Sequence, residues 1–484
     1  MKKGLLSSLI FLVLLSCTST KDPFTANIGI PEQYDSGARK MMLDSMASAQ
    51  ATPPLSWREF FKDSVLHALI DSAVVSNFDV NIAYQRLVQV QSEVQYASGR
   101  LVPELGARIG AGVRRFGEFT MDGVGNFDTQ FSPNLTDEQQ IPDPLPDFYT
   151  GVYSHWEIDL WGKLKDRKKA ALDRFLASGQ GVHLVLTQLV ADVAILYTNL
   201  QLLDQELVII EENIALQENA LAVVRMQKQA GKETELGIGL LAAQVLDAKN
   251  MLLATKMRIL ELENALNLLL GRYPQKIERS PFSEDLIPST AIETGIPSDL
   301  LQNRPDLKAA YFELRSKNAD VRAAKAAFYP SLNINANLGY QAFRSALLFD
   351  TPASVAYNLA GGLTAPLLNR RALKAELLLS KASQTEAYLN YERTVVTAFG
   401  EVFETVQKTQ LLEEMKDLKA QQVRELERSI TISKLLFASG RANYLEIITA
   451  QENSLTAKLE LLEVQAERTQ NQVLLFKSLG GGWF

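Results

Sequence analysis

A single cysteine, Cys17, leaves the 484-residue chain with no internal disulfide and no multi-cysteine metal site. Histidine is almost as scarce. His67, His155 and His183 are the only three, which argues against a histidine-rich metal centre, and no cofactor is expected. The chain also lacks a basic excess: its formal net charge of −7 does not suit a nucleic-acid binder, which needs a positive surface. Beyond the first 24 residues no uninterrupted run of 18 or more apolar residues occurs, so no further helix is expected to cross a bilayer. With 46% apolar and 22% charged residues, the chain reads neither as disordered nor as a bundle of transmembrane helices.

What is present begins with an export signal. Lys2 and Lys3 precede an apolar core from Leu5 to Leu15, the length of a signal-peptide h-region. Leu14-Leu15-Ser16-Cys17 resembles a bacterial lipobox, in which cleavage precedes the cysteine and its thiol is acylated. An ordinary signal peptide with an incidental cysteine is the alternative, but the chain's only cysteine falls at the cleavage position. Thr18 stands where an aspartate would retain a lipoprotein at the inner membrane, so an outer-membrane destination is expected.

The mature chain contains a tandem repeat. Asn77-Phe78-Asp79-Val80 matches Arg304-Pro305-Asp306-Leu307, and Pro103-Glu104-Leu105 matches Pro330-Ser331-Leu332, both at an offset of 227. Further on, Gln229-Ala230-Gly231-Lys232 matches Ala438-Ser439-Gly440-Arg441 at an offset of 209, so the first half carries an insertion, placed in the Pro/Asp-rich stretch 117–147. The expected organisation is a signal peptide (1–16), a lipidated extension (17–56), a first repeat (57–280), a linker (281–303) and a second repeat (304–484).

Four segments alternate with period two, at about 103–116, 148–160, 331–342 and 355–367. In the first, Leu105, Ala107, Ile109, Ala111 and Val113 share a face opposite Glu104, Arg108 and Arg114. In the third, Leu332, Ile334, Ala336, Leu338 and Tyr340 oppose Asn333, Asn335, Asn337 and Gln341. Strands of about ten residues with one charge-free face suit a membrane barrel. Four strands cannot close one, and an open edge in lipid leaves backbone groups unpaired at several kcal/mol each. The strands must therefore be pooled between chains. Trp156, Tyr340 and Tyr357 are candidates for the aromatic girdles of such a barrel.

The helices are expected as two hairpins, 163–270 and 369–478. Between Gly162 and Gly231 there is no proline, and Leu186, Leu189, Val193, Leu196, Leu200, Leu203, Leu207, Ile210 and Ile214 keep the three-four spacing of a coiled-coil seam. As one helix, 163–229 would reach ~100 Å at ~1.5 Å per residue, too long for a compact domain.

Three segments carry a family resemblance. Ile296-Pro297-Ser298-Asp299-Leu300-Leu301 with Gln302-Asn303-Arg304-Pro305-Asp306-Leu307, the stretch Ala323 to Leu332, and Leu475 to Trp483 resemble signatures of the TolC-like outer-membrane efflux proteins, in particular their OprM/NodT-like lipoprotein branch. The resemblance covers the chain from about Trp57 onward. It implies an α+β membrane protein in which a long coiled-coil helical tunnel continues a β-barrel, three chains giving four strands each to twelve. It also implies a homotrimer working with a periplasmic adaptor and an inner-membrane pump of the resistance-nodulation-division type.

Candidate functional residues follow from this layout. Gly231 and Gly440 mark the hairpin tips, where a tight turn favours positive φ and where the resemblance places adaptor contact and closure. Lys232 and Arg441 after them are candidate adaptor contacts, or ordinary charge compensation at a helix end. Tyr444 and Glu446 match a family segment usually reading tyrosine, leucine, aspartate, so a threefold ring of Glu446 carboxylates near the aperture is expected; a solvated helix glutamate is the plain alternative. Gly237 to Ala242 satisfies a relaxed dinucleotide pattern but opens a coiled-coil helix without a preceding strand, and no nucleophile with a credible base is found, so an enzyme is not expected. Competing readings are a channel for type I protein secretion or metal efflux and, from another class, a non-conducting coiled-coil scaffold. The four alternating strands speak against the scaffold.

Overall fold

The computed structural model describes residues 56–231, 234–282, 303–439, 441 and 444–482. The signal segment, Cys17, Lys232, Gly440, and most of the 17–56 extension and 281–303 linker lie outside the described residues.

Chain order is α1 (Trp57–Phe60), α2 (Ser64–Ser76), α3 (Phe78–Gly99), β1 (Glu104–Arg114), α4 (Met121–Thr129), β2 (Leu145–Ile158), α5 (Lys163–Gln229), α6 (Glu235–Leu269), α7 (Pro305–Ala326), β3 (Ser331–Ala342), a 3-10 turn (Ser345–Leu347), β4 (Val355–Thr364), α8 (Arg370–Ala438) and α9 (Tyr444–Ser478). The repeat is visible in the lengths. Helices α3 and α7 have 22 residues each, and α6 and α9 have 35 each. Two details differ from the sequence expectation. Strand β2 starts at Leu145 because its pairing with β1 runs out to Arg114, and β4 ends at Thr364, where its pairing with Ser331 stops. Within the insertion, Thr120 caps Gly123 N–H at 3.1 Å and starts the short helix α4, which alternation analysis could not detect.

The four strands form one antiparallel sheet in the order β1-β2-β3-β4. Helices α5 and α8 leave its helix-side end and run the length of the molecule, α5 spanning 67 residues or ~100 Å. Asp159 at the end of β2 accepts from Leu164 N–H (3.1 Å) and Lys165 N–H (2.8 Å), satisfying the open donors of α5 and fixing the strand-to-helix elbow. Along α5 the seam positions Leu186, Leu189, Val193, Leu200, Leu203, Ile210, Ile214, Leu221 and Val224 are buried. Val245, Ala248, Thr255 and Leu266 of α6 are buried as well. Helices α5 and α6 each hold an 18-residue stretch apolar enough to cross a bilayer; more than half of the α5 stretch is buried inside the protein.

Equivalent polar ties close the two repeats. Asn77 caps α3 through Asp79 N–H (2.8 Å) and Val80 N–H (3.1 Å), and its amide donates to Leu269 O at the end of α6 (2.9 Å). In the second repeat, Arg304 at the matching position donates to Ser478 O at the end of α9 (3.1 Å). Asp306 grips the same guanidinium from two oxygens (3.0 and 2.7 Å), and Glu401 of α8 adds a third contact at 2.7 Å. The Arg-Pro-Asp motif therefore ties the start of α7 to the end of the chain. Burial alone would lower the Arg304 pKa, but these carboxylates raise it.

The largest core cluster joins α1 and α2 to the middle of α5 and to Phe476, whose ring stacks on Phe60 at 4.1 Å. Asp63 organises its polar edge. One carboxylate oxygen caps α2 at Val65 N–H (2.7 Å) and Leu66 N–H (3.4 Å); the other accepts from the Tyr197 hydroxyl at 2.7 Å and from the Ser280 hydroxyl. Burial by itself would raise the Asp63 pKa, but the donors from Ser280, Tyr197 and the two backbone groups outweigh it and hold the carboxyl below its ordinary value. Burial pushes the Tyr197 phenol up to about 12. A carboxylate with a lowered folded pKa stabilises the fold above its unfolded pKa, and that contribution disappears as pH falls through the folded value. Asp63→Asn is expected to cost roughly 1–3 kcal/mol at pH 7. It should also flatten the loss of thermal stability below about pH 4. Melting curves of both proteins over that range, followed by circular dichroism, check this; parallel pH profiles would contradict it.

Candidate functional site

Two features have functional geometry: the two-faced sheet and the hairpin tips. In antiparallel pairs directly opposed residues share a face. The register therefore assembles one continuous apolar surface: Ala107–Val152–Leu338–Tyr357 form one row, Leu105–Ser154–Ala336–Leu359 the next, and Ile158–Leu332–Leu363 the row nearest the helices. Leu105, Ile109, Tyr357 and Leu359 are each at least three-quarters exposed, so nothing among the described residues covers these positions. Apolar side chains in such numbers facing outward mark a lipid-contacting surface.

The opposite face carries the polar and charged side chains of the sheet, interspersed with glycine, Ala356, Ala360 and, at the far end, Leu145. Glu104, His155 and Asn335 share one row, and Tyr153, Asn337 and Asn358 the next. Its side chains bond across strands: His155 Nδ1 with Asn335 Oδ1 at 2.7 Å, Gln341 Nε2 to Asp147 Oδ1 at 2.8 Å, and Arg108 Nε to the Tyr149 hydroxyl at 2.8 Å. Sequence reasoning placed His155, the asparagines and Arg108 on this face but missed the Arg108–Tyr149 pair, which is formed by register and not by local spacing.

The aromatic candidates sit at different heights. Tyr357, the third residue of β4, lies opposite Leu338, Tyr340 packs on Phe349 toward the far end, and Trp156 donates to Leu101 O at 3.2 Å. At the helix-side rim, Trp161 stacks on Tyr329 (5.0 Å) and donates to Pro330 O (2.8 Å), both rings about half exposed. That pair has the amphipathic character expected at a bilayer boundary.

At the first tip, Gly231 has φ +72° and its N–H bonds Lys228 O at 2.9 Å, closing the α5–α6 turn. Lys228 pairs with Glu235 across that turn. At the second tip Arg441 is exposed and its N–H bonds Leu436 O at 2.9 Å. Tyr444 faces inward. It is buried with Leu221, Val224, Leu241, Val245, Ile447 and Ile448, and its ring meets Phe437 edge-on at 5.4 Å, so it joins the two hairpins. Glu446 in the first turn of α9 is exposed. Its first-repeat counterpart, Gly237, gives its N–H to the Thr234 hydroxyl at 3.3 Å and starts α6. Among the described residues no group of three or more His, Cys, Asp or Glu is placed to hold a metal ion.

A sheet apolar outside and polar inside, carried on hairpins of ~100 Å, defines a subunit of an outer-membrane channel. The outer membrane efflux protein family model matches residues 69–272 and 296–481, and the chain belongs to that family. It is 25% identical over 479 residues to the cation efflux system protein CusC of Escherichia coli O6:H1, covering 99% of this chain and 98% of that one. It is 28% identical over 472 residues to the pyoverdine export outer membrane protein OpmQ of Pseudomonas putida, covering 98% and 96%. The solved structure of CusC superposes with a TM-score of 0.82 at 23% identity, over 96% of this chain and 100% of that one. The open-state channel MtrE of Neisseria gonorrhoeae superposes with 0.79 at 22% identity, over 96% and 99%. The protein is thus the outer-membrane channel component of an efflux system, not an enzyme.

Two outcomes follow from the geometry. Leu359→Arg places a charge on the exposed apolar face and is expected to destabilise insertion by ~2–4 kcal/mol, whereas Asn358→Arg on the polar face leaves it intact. The folded fraction after refolding into liposomes, read from heat-modifiable electrophoretic migration, distinguishes them. Tyr444→Ala should open the tip cluster and speed proteolysis near 229–235 and 436–444, while Tyr444→Phe should cleave like the parent; peptide mapping locates the cuts.

Proposed function

We propose that three copies of the chain close a twelve-stranded barrel and a continuous periplasmic tunnel. This assembly would work with a periplasmic adaptor and an inner-membrane resistance-nodulation-division pump to export small molecules passively. The observation that carries the reading is the open sheet. Among the described residues one edge of β1 and one edge of β4 have no strand partner, and one face of the sheet between them is apolar and exposed. In lipid such edges cost several kcal/mol per unpaired group, so copies must join β4 to the β1 of a neighbour. The helices support the same assembly. Leu246, Leu253 and Leu260 of α6 and Leu389, Val396 and Phe403 of α8 are exposed at seven-residue spacing, as the seam toward another helix would be.

The lipid-anchor reading of Cys17 remains part of this proposal, holding the mature N-terminus at the outer membrane. Gly231 and Gly440 with Lys232 and Arg441 are proposed as the tip surface met by the adaptor. Glu446, exposed one turn from the second tip, is proposed to form a threefold carboxylate ring that favours cations. The relatives' names span cations, pyoverdine and toluene, which fits a conduit that leaves substrate choice to its pump.

Mass measurement of the detergent-purified protein should give a trimer, and planar bilayers should show discrete cation-preferring steps whose preference falls in Glu446→Gln. A monomer that never inserts would refute the barrel. Unchanged selectivity in Glu446→Gln would remove the ring but leave the conduit.

A further inference from the structure

The polar face of the sheet contains one local construction that a passive wall does not require. Arg108 lies in the middle of β1. Its neighbours on the same face of β1 are Gly106 and Gly110; Gly151 is directly opposite on β2, and Gly339 lies beyond it on β3. The glycines of β1 make room for rings. A Cβ on Gly110 would fall 2.3 Å from the Tyr149 hydroxyl, and one on Gly106 would fall 2.5 Å from the Tyr153 ring. The two tyrosines therefore lie across β1 on either side of Arg108. Gly151 is equally constrained, since its Cβ would sit 2.5 Å from Leu338 O. The result is a clearing with an exposed guanidinium at its centre and an aromatic ring on each flank.

The guanidinium is held in place. Its Nε donates to the Tyr149 hydroxyl at 2.8 Å, and its Cζ lies 4.5 Å from the centroid of the same ring. Among the described residues no carboxylate lies within ion-pair distance of Arg108, and the nearby Asp147 accepts from Gln341. With Nε occupied, the two terminal nitrogens remain to give parallel N–H bonds to one carboxylate, the geometry in which arginine binds anions most strongly. The tyrosine rings offer flat contact to whatever planar group the carboxylate carries.

Given the barrel closure proposed above, we infer that Arg108, Tyr149 and Tyr153 form a lumen-facing subsite for anionic solutes, best suited to carboxylates on planar rings. Three copies would make an anion-attracting zone inside the barrel, opposite in sign to the cation preference assigned to the tip. The conduit then has two electrostatic stations, and a solute carrying both charges meets each in turn.

The test uses the full-length trimer in detergent at low ionic strength, with Asn337→Cys as reporter and the protein without that substitution as blank. Asn337 is exposed on the same face two strands and two residues away, about 12 Å from Arg108 by sheet spacing. The reporter is modified in parallel by an anionic sulfonate methanethiosulfonate and by a cationic trimethylammonium one. Adding Arg108→Ala should lower the anionic-to-cationic rate ratio roughly threefold, from the loss of a unit charge at that distance in water. Benzoate should slow the anionic reagent in the Arg108 protein and not in Arg108→Ala. Tyr149→Phe, which keeps the charge, should preserve the ratio and weaken the benzoate effect. An unchanged ratio in Arg108→Ala, or benzoate without effect on the Arg108 protein, would overturn the subsite while leaving the channel standing. A reporter inert to both reagents would show that this face is not in water, overturning the barrel reading and the subsite with it.

Discussion

Backbone hydrogen bonding at the two free edges of the sheet is the constraint on which the architecture turns. In water an edge strand solvates its spare N–H and C=O groups at little cost, but hydrocarbon offers no such partner. A chain that contributes only four strands is incomplete as a membrane structure until its edges meet other copies. The demand extends to the helices. Each strand pair leads into a long helix, the first through the elbow fixed by the Asp159 cap on α5, so a closed ring of strands carries a ring of helices below it. The exposed heptad stripes of α6 and α8 are the helical counterpart of the free strand edges.

One difference between the two repeats is a wrapping. The hairpin of the first repeat is covered by α1, α2 and the segment after α6, which bring Trp57, Phe60, Leu66, Ile70 and Ile277 onto α5. Helix α8 has a smaller cluster around Val395, Ala398 and Val402, closed by Leu307 and Leu475. Phe60 stacked on Phe476 and Arg304 bonded to Ser478 O bring the start of the described chain and the start of the second repeat onto its C-terminal helix. These ties form a collar midway along the molecule, distant from both the strands and the tips.

Much of this was legible in the sequence because the environment imposes simple periods. A strand between lipid and water must alternate, and Leu332 to Tyr340 against Asn333 to Gln341 do so without interruption. A long two-helix seam must repeat at three and four, as Leu186 to Ile214 do. What escaped depends on register or on distant partners. Arg108 and Tyr149 are 41 residues apart, and Asp63 and Ser280 are 217 apart, with no local signal for either pairing. Helix α4 begins at a threonine cap inside a stretch whose composition reads as loop. Tyr444 is read from its motif as an aperture residue, yet three-dimensional packing makes it the wedge between hairpins, while Glu446 two positions on stays in solvent. A motif locates the tip; the helical phase decides which of its side chains face outward.

The order β1-β2-β3-β4 carries a further implication. Strands β1 and β2 belong to the first repeat and β3 and β4 to the second, so the β2–β3 seam inside one chain is the same kind of junction as the seam between neighbouring copies. A chain of one repeat with this strand geometry would need six copies to close twelve strands. Joining two repeats halves the number of bodies that must find one another in the membrane and frees the halves to diverge. The carboxylate at Glu446 where the first repeat has Gly237, and helix α4 in the loop between β1 and β2 where the β3–β4 loop has only a 3-10 turn, are asymmetries that six identical units could never acquire.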